Sequence, residues 1–385
     1  MENPKIRFKG FTKDWEQRKL DDVVEFLDTM RKPLEGAKRI SGSYPYYGAS
    51  GIVDYVDGYL FDEELILLSE DGANITDRNY PVCFLASGKY WVNNHAHVLR
   101  TKQGNENNFI CNSLERKDYT QYNTGMAMPK LNKETCKKIP ILCPEFEEQK
   151  KIGDYFRSLD HLITLHQRKC DQTKNLKKYM LQKMFPQNGA KVPEIRFDGY
   201  TYDWEQRKLG DIINEYKETV DSDCILPILT SSKTEGVILQ EEHFGRKQQH
   251  DITGYNILPR NYCTYRNRSD GVDFTFNINK CCDKGIISKF YPVFSGKNSD
   301  VFFLSLVLNN SEEVVREIAY TCTGTGQKVL SFLDLQKMKV RVPNFDEQKE
   351  IAAYFESLDH LITLHQRKCD ELKKMKKYML QNMFI

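Results

Sequence analysis

The sequence lacks the features that are typical of a membrane protein or of a protein that coats nucleic acid. Its 385 residues include 56 lysines and arginines against 54 aspartates and glutamates, a net charge of +2. A protein that coats nucleic acid by charge alone would be strongly basic. The longest apolar run, near Val301–Leu308, is far shorter than the roughly 20 residues that a membrane helix needs. The composition therefore predicts neither class.

Common chemical motifs are missing as well. The chain has 11 cysteines, an odd number, and no Cys-x-x-Cys pair. Residues 1–5 show no charged-then-apolar signal pattern, so we expect reduced thiols in a cytoplasmic protein. The Gly-x-x-x-x-Gly-Lys-Ser/Thr loop of ATP-binding proteins is absent, and so is the Asn-Pro-Pro-aromatic signature of adenine methyltransferases. We expect no catalytic residue, no metal and no cofactor in this chain.

What the sequence does have is a long internal duplication. The matching segments are Pro4–Leu20 with Pro193–Leu209, and Pro144–Phe185 with Pro343–Phe384. The stretches between them, 22–143 and 211–342, show no such match. A solenoid needs at least three stacked repeats, and this chain has two long ones. The order predicts one common framework that carries two different modules.

The later repeat predicts a long helix in each copy. A proline precedes acidic residues at its start, and apolar residues then recur with a seven-residue period, as in coiled coils. The two heptad sets run through Ile152, Leu159, His166, Thr173 and Met180, and through Tyr155/Phe156, Leu162/Ile163, Lys169/Cys170, Leu176 and Met184. Antiparallel pairing of the two copies would place His166 near His365. A polar layer there would fix the register of the helices at some cost in stability.

We therefore expect an α+β fold with pseudo-two-fold symmetry, in which two mixed α/β modules are joined by two long antiparallel coiled-coil helices. Short apolar runs such as Glu64–Ser69 predict strands, and Asn107–Ser113 and Val301–Leu308 predict helices. The expected boundaries are 1–143 for the first module, 144–192 for the central helix and linker, 193–342 for the second module, and 343–385 for the C-terminal helix.

Taken together, these motifs resemble the specificity (S) subunit of a type I restriction-modification system. The resemblance covers essentially the whole chain and rests on Asp14–Leu20 with its copy at 203–209, Tyr46–Gly51, Asp71-Gly72, Trp91–His97, and the Glu-Gln-Lys that opens each long helix at 148–150 and 347–349. It implies two target-recognition domains, each reading half of a bipartite asymmetric DNA site, and paired helices that set the spacer.

The resemblance also implies partners for the chain. Double-stranded DNA would be bound by the two domains, two DNA methyltransferase (modification) subunits would dock on the helices, and restriction (nuclease/translocase) subunits would join the larger assembly. The chain itself would be non-catalytic, and S-adenosylmethionine, ATP and Mg²⁺ would act in the partner subunits. Because neither variable segment carries a basic excess, we expect the chain alone to bind DNA weakly.

Candidate DNA-binding residues in the first module form two clusters, Tyr46, Tyr47 and Ser50 in a Gly-containing loop, and Asn93, Asn94 and His95 between an aromatic and an apolar run. Loops on a rigid scaffold often carry binding residues, and asparagine can pair with adenine through two hydrogen bonds. The alternatives are turn structure and core packing for the loop, and a buried hydrogen-bond network for the Asn–His cluster. The nearby His-x-His lacks a third ligand, so we expect no metal there.

Candidates in the second module are Ser231, Ser232 and Lys233, then Lys247 and Gln248, and then Tyr265, Arg266 and Arg268. These side chains offer donors suited to guanine, adenine and phosphate; the alternative is exposed loop charge. Two other functions remain open at this stage. One is a duplicated coiled-coil scaffold that holds protein partners without reading DNA. The other is an enzyme with an unrecognised active site.

Overall fold

The computed structural model describes residues 4–246, 251–324 and 326–385. Contacts divide the chain into two compact units: unit 1 combines the residues up to Arg168 with His365–Ile385, and unit 2 spans Lys169–Leu364. Helices and sheets are present in both units, so the fold is α+β, as the sequence predicts. Within the described ranges, no helix has both the length and the apolar character to span a membrane.

Short strands and short helices alternate before the first long helix. In chain order they are β1 (Glu16–Lys19), α1 (Leu20–Val23), β2 (Val24–Phe26), β3 (Ser41–Gly48), β4 (Gly51–Val56), β5 (Phe61–Asp62), β6 (Leu65–Ser69), α2 (Asn74–Asp77), β7 (Cys83–Ala86), β8 (Lys89–Val92), β9 (Ala96–Thr101), α3 (Asn107–Arg116), α4 (Lys133–Lys137), β10 (Pro140–Cys143) and the long α5 (Phe146–Lys183).

Unit 1 contains two four-stranded sheets. One has the order β2-β9-β6-β7 and is antiparallel throughout. Its inner strand β6 is buried along its whole length because alternate side chains pack into two different hydrophobic cores. The other has the order β4-β3-β8-β5, and its β3 and β8 run parallel. A separate pair, β1 with β10, joins the start of the unit to the strand that leads into α5.

The same alternation follows in the second half of the chain. The elements are β11 (Glu205–Lys208), α6 (Leu209–Ile212), β12 (Ile213–Tyr216), β13 (Leu229–Ser232), β14 (Gly236–Leu239), α7 (Gln240–Phe244), β15 (Asn256–Pro259), β16 (Cys263–Tyr265), β17 (Arg268–Ser269), β18 (Phe276–Ile278), β19 (Lys284–Ile287), β20 (Val293–Gly296), α8 (Val301–Asn310), α9 (Glu312–Thr321), β21 (Lys328–Val329), α10 (Phe332–Lys337), β22 (Lys339–Val342) and the long α11 (Phe345–Met383). The main sheet of unit 2 has the order β12-β20-β16-β18, and β11 pairs with β22 as β1 pairs with β10.

The repeated Glu-Gln at the start of each long helix is structural. Glu148 is fully buried and forms two hydrogen bonds with the guanidinium of Arg7, at 2.7 and 2.8 Å. The Gln149 amide accepts the Glu106 N–H and donates to the Pro144 carbonyl, so it ties the module to the helix. A buried carboxylate is tolerated when it is paired and hydrogen-bonded in this way.

Unit 2 repeats that arrangement. Glu347 is likewise buried and accepts two hydrogen bonds from Arg196, both at 2.7 Å. The amide of Gln348 accepts from the Asp300 N–H and donates to the Pro343 carbonyl. The repeated sequence blocks therefore build the same junction between module and helix twice.

In unit 1, the first part of α5 packs against the last part of α11. The Nζ of Lys376 lies 2.6 Å from an Asp160 oxygen, and Nδ1 of His166 lies 3.0 Å from Nδ1 of His365. Residue numbers rise along one helix as they fall along the other, so the two segments are antiparallel. The histidines predicted to be neighbours are in contact.

In unit 2, the end of α5 packs against the start of α11 in the same sense. Lys177 forms an ion pair with Asp359 at 2.5 Å, and the Cys170 thiol faces the Ile362 carbonyl at 3.8 Å. The Lys177–Asp359 pair is the repeat counterpart of Lys376–Asp160 in unit 1, with the roles of the two helices exchanged.

The predicted heptad is wrong at one apolar position, because Leu176 is exposed. In the pairs Tyr155/Phe156 and Lys169/Cys170 the second residue is buried, and in Leu162/Ile163 it is half-buried while Leu162 is exposed. The heptad positions His166 and Thr173 are polar, so the apolar pattern is interrupted near the middle of α5.

Candidate nucleic-acid interface

The two predicted clusters of the first module lie side by side. Strand β3 pairs in parallel with β8, so that Tyr47 is opposite Val92, and the Asn93 N–H donates to the Tyr47 carbonyl at 3.0 Å. The ends of these two strands thus bring the tyrosine segment and the Asn–His segment to one edge. Tyr46 and Tyr47 belong to a strand, so the prediction that they lie in a loop is wrong; Ser50 lies at the turn after β3 and is exposed.

Alternation along β3 separates the two tyrosines. The Tyr46 ring is 1% exposed, and its hydroxyl accepts the Leu34 N–H at 3.0 Å. A ring enclosed in this way cannot reach a base, so Tyr46 is a core residue and the prediction that it contacts DNA is wrong. Tyr47 is half-buried between the rings of Phe84 and Tyr90, and burial raises the pKa of its hydroxyl.

The Asn–His segment divides in the same way. Asn93 is buried, and its side-chain oxygen accepts the His95 N–H at 2.8 Å. Asn94 and His95 are exposed, and Nδ1 of His95 lies 2.9 Å from both carboxylate oxygens of Asp71. Asn93 therefore shapes the turn, as the alternative interpretation proposes, and the exposed amide and imidazole belong to its neighbours. We call Tyr47, Ser50, Asn94 and His95 surface 1.

A buried ionic network supports surface 1 from below. His97, 1% exposed, lies 2.8 Å from Asp28, and Arg31 lies 2.6 Å from Glu70 while donating to the Ala96 carbonyl. Burial pushes the pKa of Asp28 upward, but the hydrogen bond from His97 and the charges of His97 and Arg31 outweigh it, and the net pKa shift is downward. The network holds the backbone next to Asn94 and His95 in place.

Five of the residues predicted in the second module line one cavity of about 360 Å³: Ser231, Ser232, Lys233, Arg266 and Arg268. We call these five residues surface 2. Strand β13 supplies the serines, and its hairpin with β14 is held by Asn277, whose amide donates to the Ser231 hydroxyl at 2.8 Å and to the Ser232 carbonyl.

The charged groups of surface 2 differ in how they are held. Lys233 forms an ion pair with Asp273, and hydrogen bonds from Lys233 and Ser269 lower the pKa of that carboxyl. The Arg268 guanidinium stacks 4.6 Å from the Phe290 ring centre. Arg266 is exposed, and no ion pair links it to any residue within the described ranges. Its guanidinium is therefore available for a phosphate or a base edge.

Tyr265 does not belong to surface 2. Its ring is buried against Phe276, and its hydroxyl donates to the Leu330 carbonyl at 3.1 Å. The prediction that Tyr265 contacts DNA is wrong for the same reason as for Tyr46: both aromatic rings point into the core from a strand. Lys247 and Gln248 lie outside the described residues.

Sequence reasoning missed several side chains at these surfaces. Asp71 contacts His95, and Asp273 pairs with Lys233, but neither is among the predicted site residues. The signal available for Asp71 is its place two residues after the buried strand β6. Asp273 carries no comparable signal, because its distance from Lys233 in sequence is 40 residues. Among the residues described, no cluster of three or more histidines, cysteines or acids could hold a metal ion.

The fold and these surfaces define a duplicated α+β protein whose units share one framework and present different polar groups. A family model described as the type I restriction modification DNA specificity domain matches residues 12–175 and again 202–374. The chain therefore belongs to the family of type I restriction-modification specificity subunits.

Individual relatives agree with this assignment. A putative type I restriction enzyme specificity subunit of Haemophilus influenzae is 37% identical over 157 residues, which cover 41% of this chain and 39% of that protein. The type I restriction enzyme MjaVIII specificity subunit of Methanocaldococcus jannaschii is 22% identical over 402 residues, 95% of this chain and 91% of that protein. The crystal structure of the type I restriction-modification system S subunit from M. genitalium has the same fold, with a TM-score of 0.69, 12% identity, and coverage of 100% of this chain and 99% of that one.

Proposed function

We propose that this chain is the DNA-recognition subunit of a type I restriction-modification complex, and that each module reads one half of a bipartite asymmetric site. The observation that carries the proposal is that the two units have the same framework but present different polar groups on their surfaces. The Arg7–Glu148 junction recurs as Arg196–Glu347. Surface 1 offers amide, imidazole and hydroxyl groups, whereas surface 2 offers hydroxyls, an amine and two guanidiniums. Different donors and acceptors on the same framework suit half-sites of different sequence.

We assign residues 1–143 and 193–342 as target-recognition domains 1 and 2, and residues 144–192 and 343–385 as the helices and linker between them. In this proposal α5 and α11 pair along their length as an antiparallel coiled coil with a pseudo-two-fold axis near His166 and His365. The His166–His365 contact and the antiparallel ion pairs of each unit support it. The number of helical residues would then set the spacer between the half-sites, since each residue adds about 1.5 Å.

Exposed apolar side chains on the helices support the docking of two methyltransferase subunits. The exposed residues are Leu162, Met375 and Tyr378 in unit 1, and their repeat counterparts Leu361, Leu176 and Tyr179 in unit 2. Exposed apolar patches on proteins often mark protein-binding surfaces. Because apolar residues recur at the same three positions in both units, each unit offers similar groups to one copy of the same partner. Restriction subunits would then bind to the complex of this chain with the two methyltransferase subunits.

In this proposal the chain supplies recognition, and the chemistry is performed elsewhere. The partner subunits would bind S-adenosylmethionine, ATP and Mg²⁺ and carry the methyltransferase and endonuclease activities. Their substrate is genomic DNA, which places the complex in the cytoplasm. Because most phosphate neutralisation would come from the partners, the chain alone would bind duplex DNA weakly.

The direct test is to purify the chain alone and with its methyltransferase subunit and to measure binding to duplex DNA and methyl transfer. We expect sequence-selective binding and methylation by the complex, and weak binding without methylation by the chain. A complex that binds all duplexes equally would favour the coiled-coil scaffold instead. Methyl transfer by the isolated chain would show that it is an enzyme.

A further inference from the structure

Unit 1 contains a cavity of about 820 Å³ that shares no lining residue with surface 1. Its walls come from α3 and β7 of the module and from α5 and α11. Cavities of roughly 300–1,000 Å³ accommodate ligands or short peptide segments. Nothing in the proposed DNA recognition uses this space.

The rim of the cavity carries a positive excess. The lining has six cations, Arg78, Arg116, Arg157, Lys373, Lys376 and Lys377, and two carboxylates, Glu115 and Asp160. Arg78 and Lys376 are paired with those two carboxylates, and Arg157 is paired with Glu64 and Glu106. Arg116, Lys373 and Lys377 are exposed and have no ion-pair partner within the part of the chain that the structure describes. Three charges on one rim are therefore uncompensated.

The floor of the cavity is apolar. Phe84 and Leu85 of β7, Ile163 of α5 and Leu380 of α11 contribute to it, and each is only half-buried. A ligand that covers these side chains would be stabilised by removing their apolar surface from water.

Strand β7 also leaves backbone groups open at this cavity. It is the outer strand of its sheet, and the Cys83 N–H points away from β6 to the Glu115 carboxylate at 2.9 Å. Because antiparallel pairing alternates along a strand, the N–H and carbonyl of Leu85 also point away from β6. An extended segment could bond to them, as in other cases of added strands.

The corresponding place in unit 2 has different charges. Glu106 and Asp300 both cap their helices, by accepting from Phe109 and Phe303, so Glu115 and Arg116 correspond to Asn309 and Asn310. The repeat counterpart of Arg157 is Glu356, which is paired with Lys280 at 2.7 Å. The lysines of the helix wall recur as Lys174, Lys177 and Lys178. The lysines are therefore common to both units, whereas the arginines at positions 116 and 157 are found only in unit 1.

We propose that this cavity of unit 1 binds an acidic segment of a protein partner, with apolar side chains against Leu85 and Leu380 and carboxylates against Arg116, Lys373 and Lys377. Duplex DNA does not fit the chemistry, because a rigid phosphate backbone would gain nothing from the apolar floor and cannot enter a cavity of this size. The required segment is short, combines glutamate or aspartate with leucine-like residues, and can add to the free edge of β7.

The probe is a fluorescein-labelled ten-residue peptide of alternating glutamate and leucine, titrated against the full chain by fluorescence anisotropy. The test variant is Lys373→Glu with Lys377→Glu, and Arg116→Glu is a second variant on the opposite wall. Lys174→Glu with Lys178→Glu is the matched control, because it makes the same changes at the same helix positions in unit 2. All replaced side chains are exposed, and thermal denaturation verifies that each variant folds.

We expect the peptide to bind the wild-type chain and the control with affinities within twofold of each other, and to bind both test variants at least tenfold more weakly. Hydrogen exchange in β7 should slow when the peptide binds. The proposal would be overturned if a glutamate–serine peptide bound with the same affinity, or if the control variant lost as much affinity as the test variants. It would also be overturned if no binding were seen at millimolar peptide. Displacement of the peptide by a short DNA duplex would also overturn it and would assign the rim to nucleic acid. Site-selective DNA binding by the methyltransferase complex, measured in the same variants, is expected to be unchanged and reports on the proposed function separately.

Discussion

The carboxylate of Glu106 occupies the space that a side chain at position 153 would need. A β-carbon built on Gly153 would lie 2.0 Å from Glu106 Oε2, which is closer than any real contact. Glu106 caps α3 by accepting the Phe109 N–H at 2.6 Å. In unit 2 the cap is Asp300, one methylene shorter, and the helix residue at the matching place is Ala352. The length of the cap and the size of the helix residue thus change together between the repeats.

Gly153→Ala is therefore expected to displace the Glu106 carboxylate from the Phe109 N–H, and the loss of this cap should destabilise unit 1 by about 0.5–2 kcal/mol. The sign is informative, because alanine normally stabilises a helix interior by up to about 1 kcal/mol relative to glycine. Combining Gly153→Ala with Glu106→Asp reproduces the unit 2 pair, so the double variant should recover most of the loss. Urea denaturation of the four members of the cycle measures the coupling, and a single Gly153→Ala variant that is more stable than wild type would contradict this account.

The buried ion pairs at the module–helix junctions should be costly to break from one side. Arg7→Met leaves the Glu148 carboxylate buried without its partner, and we expect a loss of about 3–5 kcal/mol. Arg196→Met should have the same effect in unit 2, because Glu347 is equally buried. Denaturation curves of the two variants give the comparison.

A surface ion pair nearby provides the control for that prediction. Lys13 and Glu145 are paired at 2.8 Å but exposed, so Lys13→Met should leave the denaturation curve unchanged. Recovery of part of the Arg7→Met loss by a second change, Glu148→Gln, would show that the unpaired charge is the cause. Arg7→Met with wild-type stability would mean that water reaches Glu148.

The two surfaces should act on separate parts of the DNA site. His95→Ala with Asn94→Ala is expected to weaken binding of the complex by about 10- to 100-fold through one half-site, and Arg266→Ala with Arg268→Ala through the other, since a good base contact is worth about 1–3 kcal/mol. Competition with duplexes altered in one half at a time identifies the half affected. Loss spread evenly over both halves would count against independent reading by the modules.

The buried tyrosines should affect stability and leave specificity unchanged. Tyr46→Phe and Tyr265→Phe each remove a hydroxyl that forms one hydrogen bond with the backbone, at an expected cost of about 1 kcal/mol. The methylated sequence should stay the same in both variants, which sequencing of methylated DNA would verify. A changed base preference in either variant would show that its tyrosine takes part in DNA recognition.

The framework could be predicted from the sequence because it is repeated and periodic. The helices expected at 107–113 and 301–308 are α3 and α8, each slightly longer. The two long helices begin within three residues of Pro144 and Pro343, as the sequence predicts. The surfaces were less predictable, because they depend on pairing between distant strands. Tyr47 and Asn93 meet only through the parallel β3–β8 pair, which no local pattern reveals. Treating β3 as a strand would have separated Tyr46 from Tyr47, since neighbouring residues in a strand face opposite sides.

The central claim is that each module reads its own half-site while the helices set the spacing. The most direct measurement is genome-wide mapping of methylated adenine in cells that carry the wild-type complex, and in cells in which residues 22–143 are replaced by the same segment of a relative. The account predicts that one half of the methylated sequence changes while the other half and the spacer are retained. A change in both halves, or in the spacer, would contradict it.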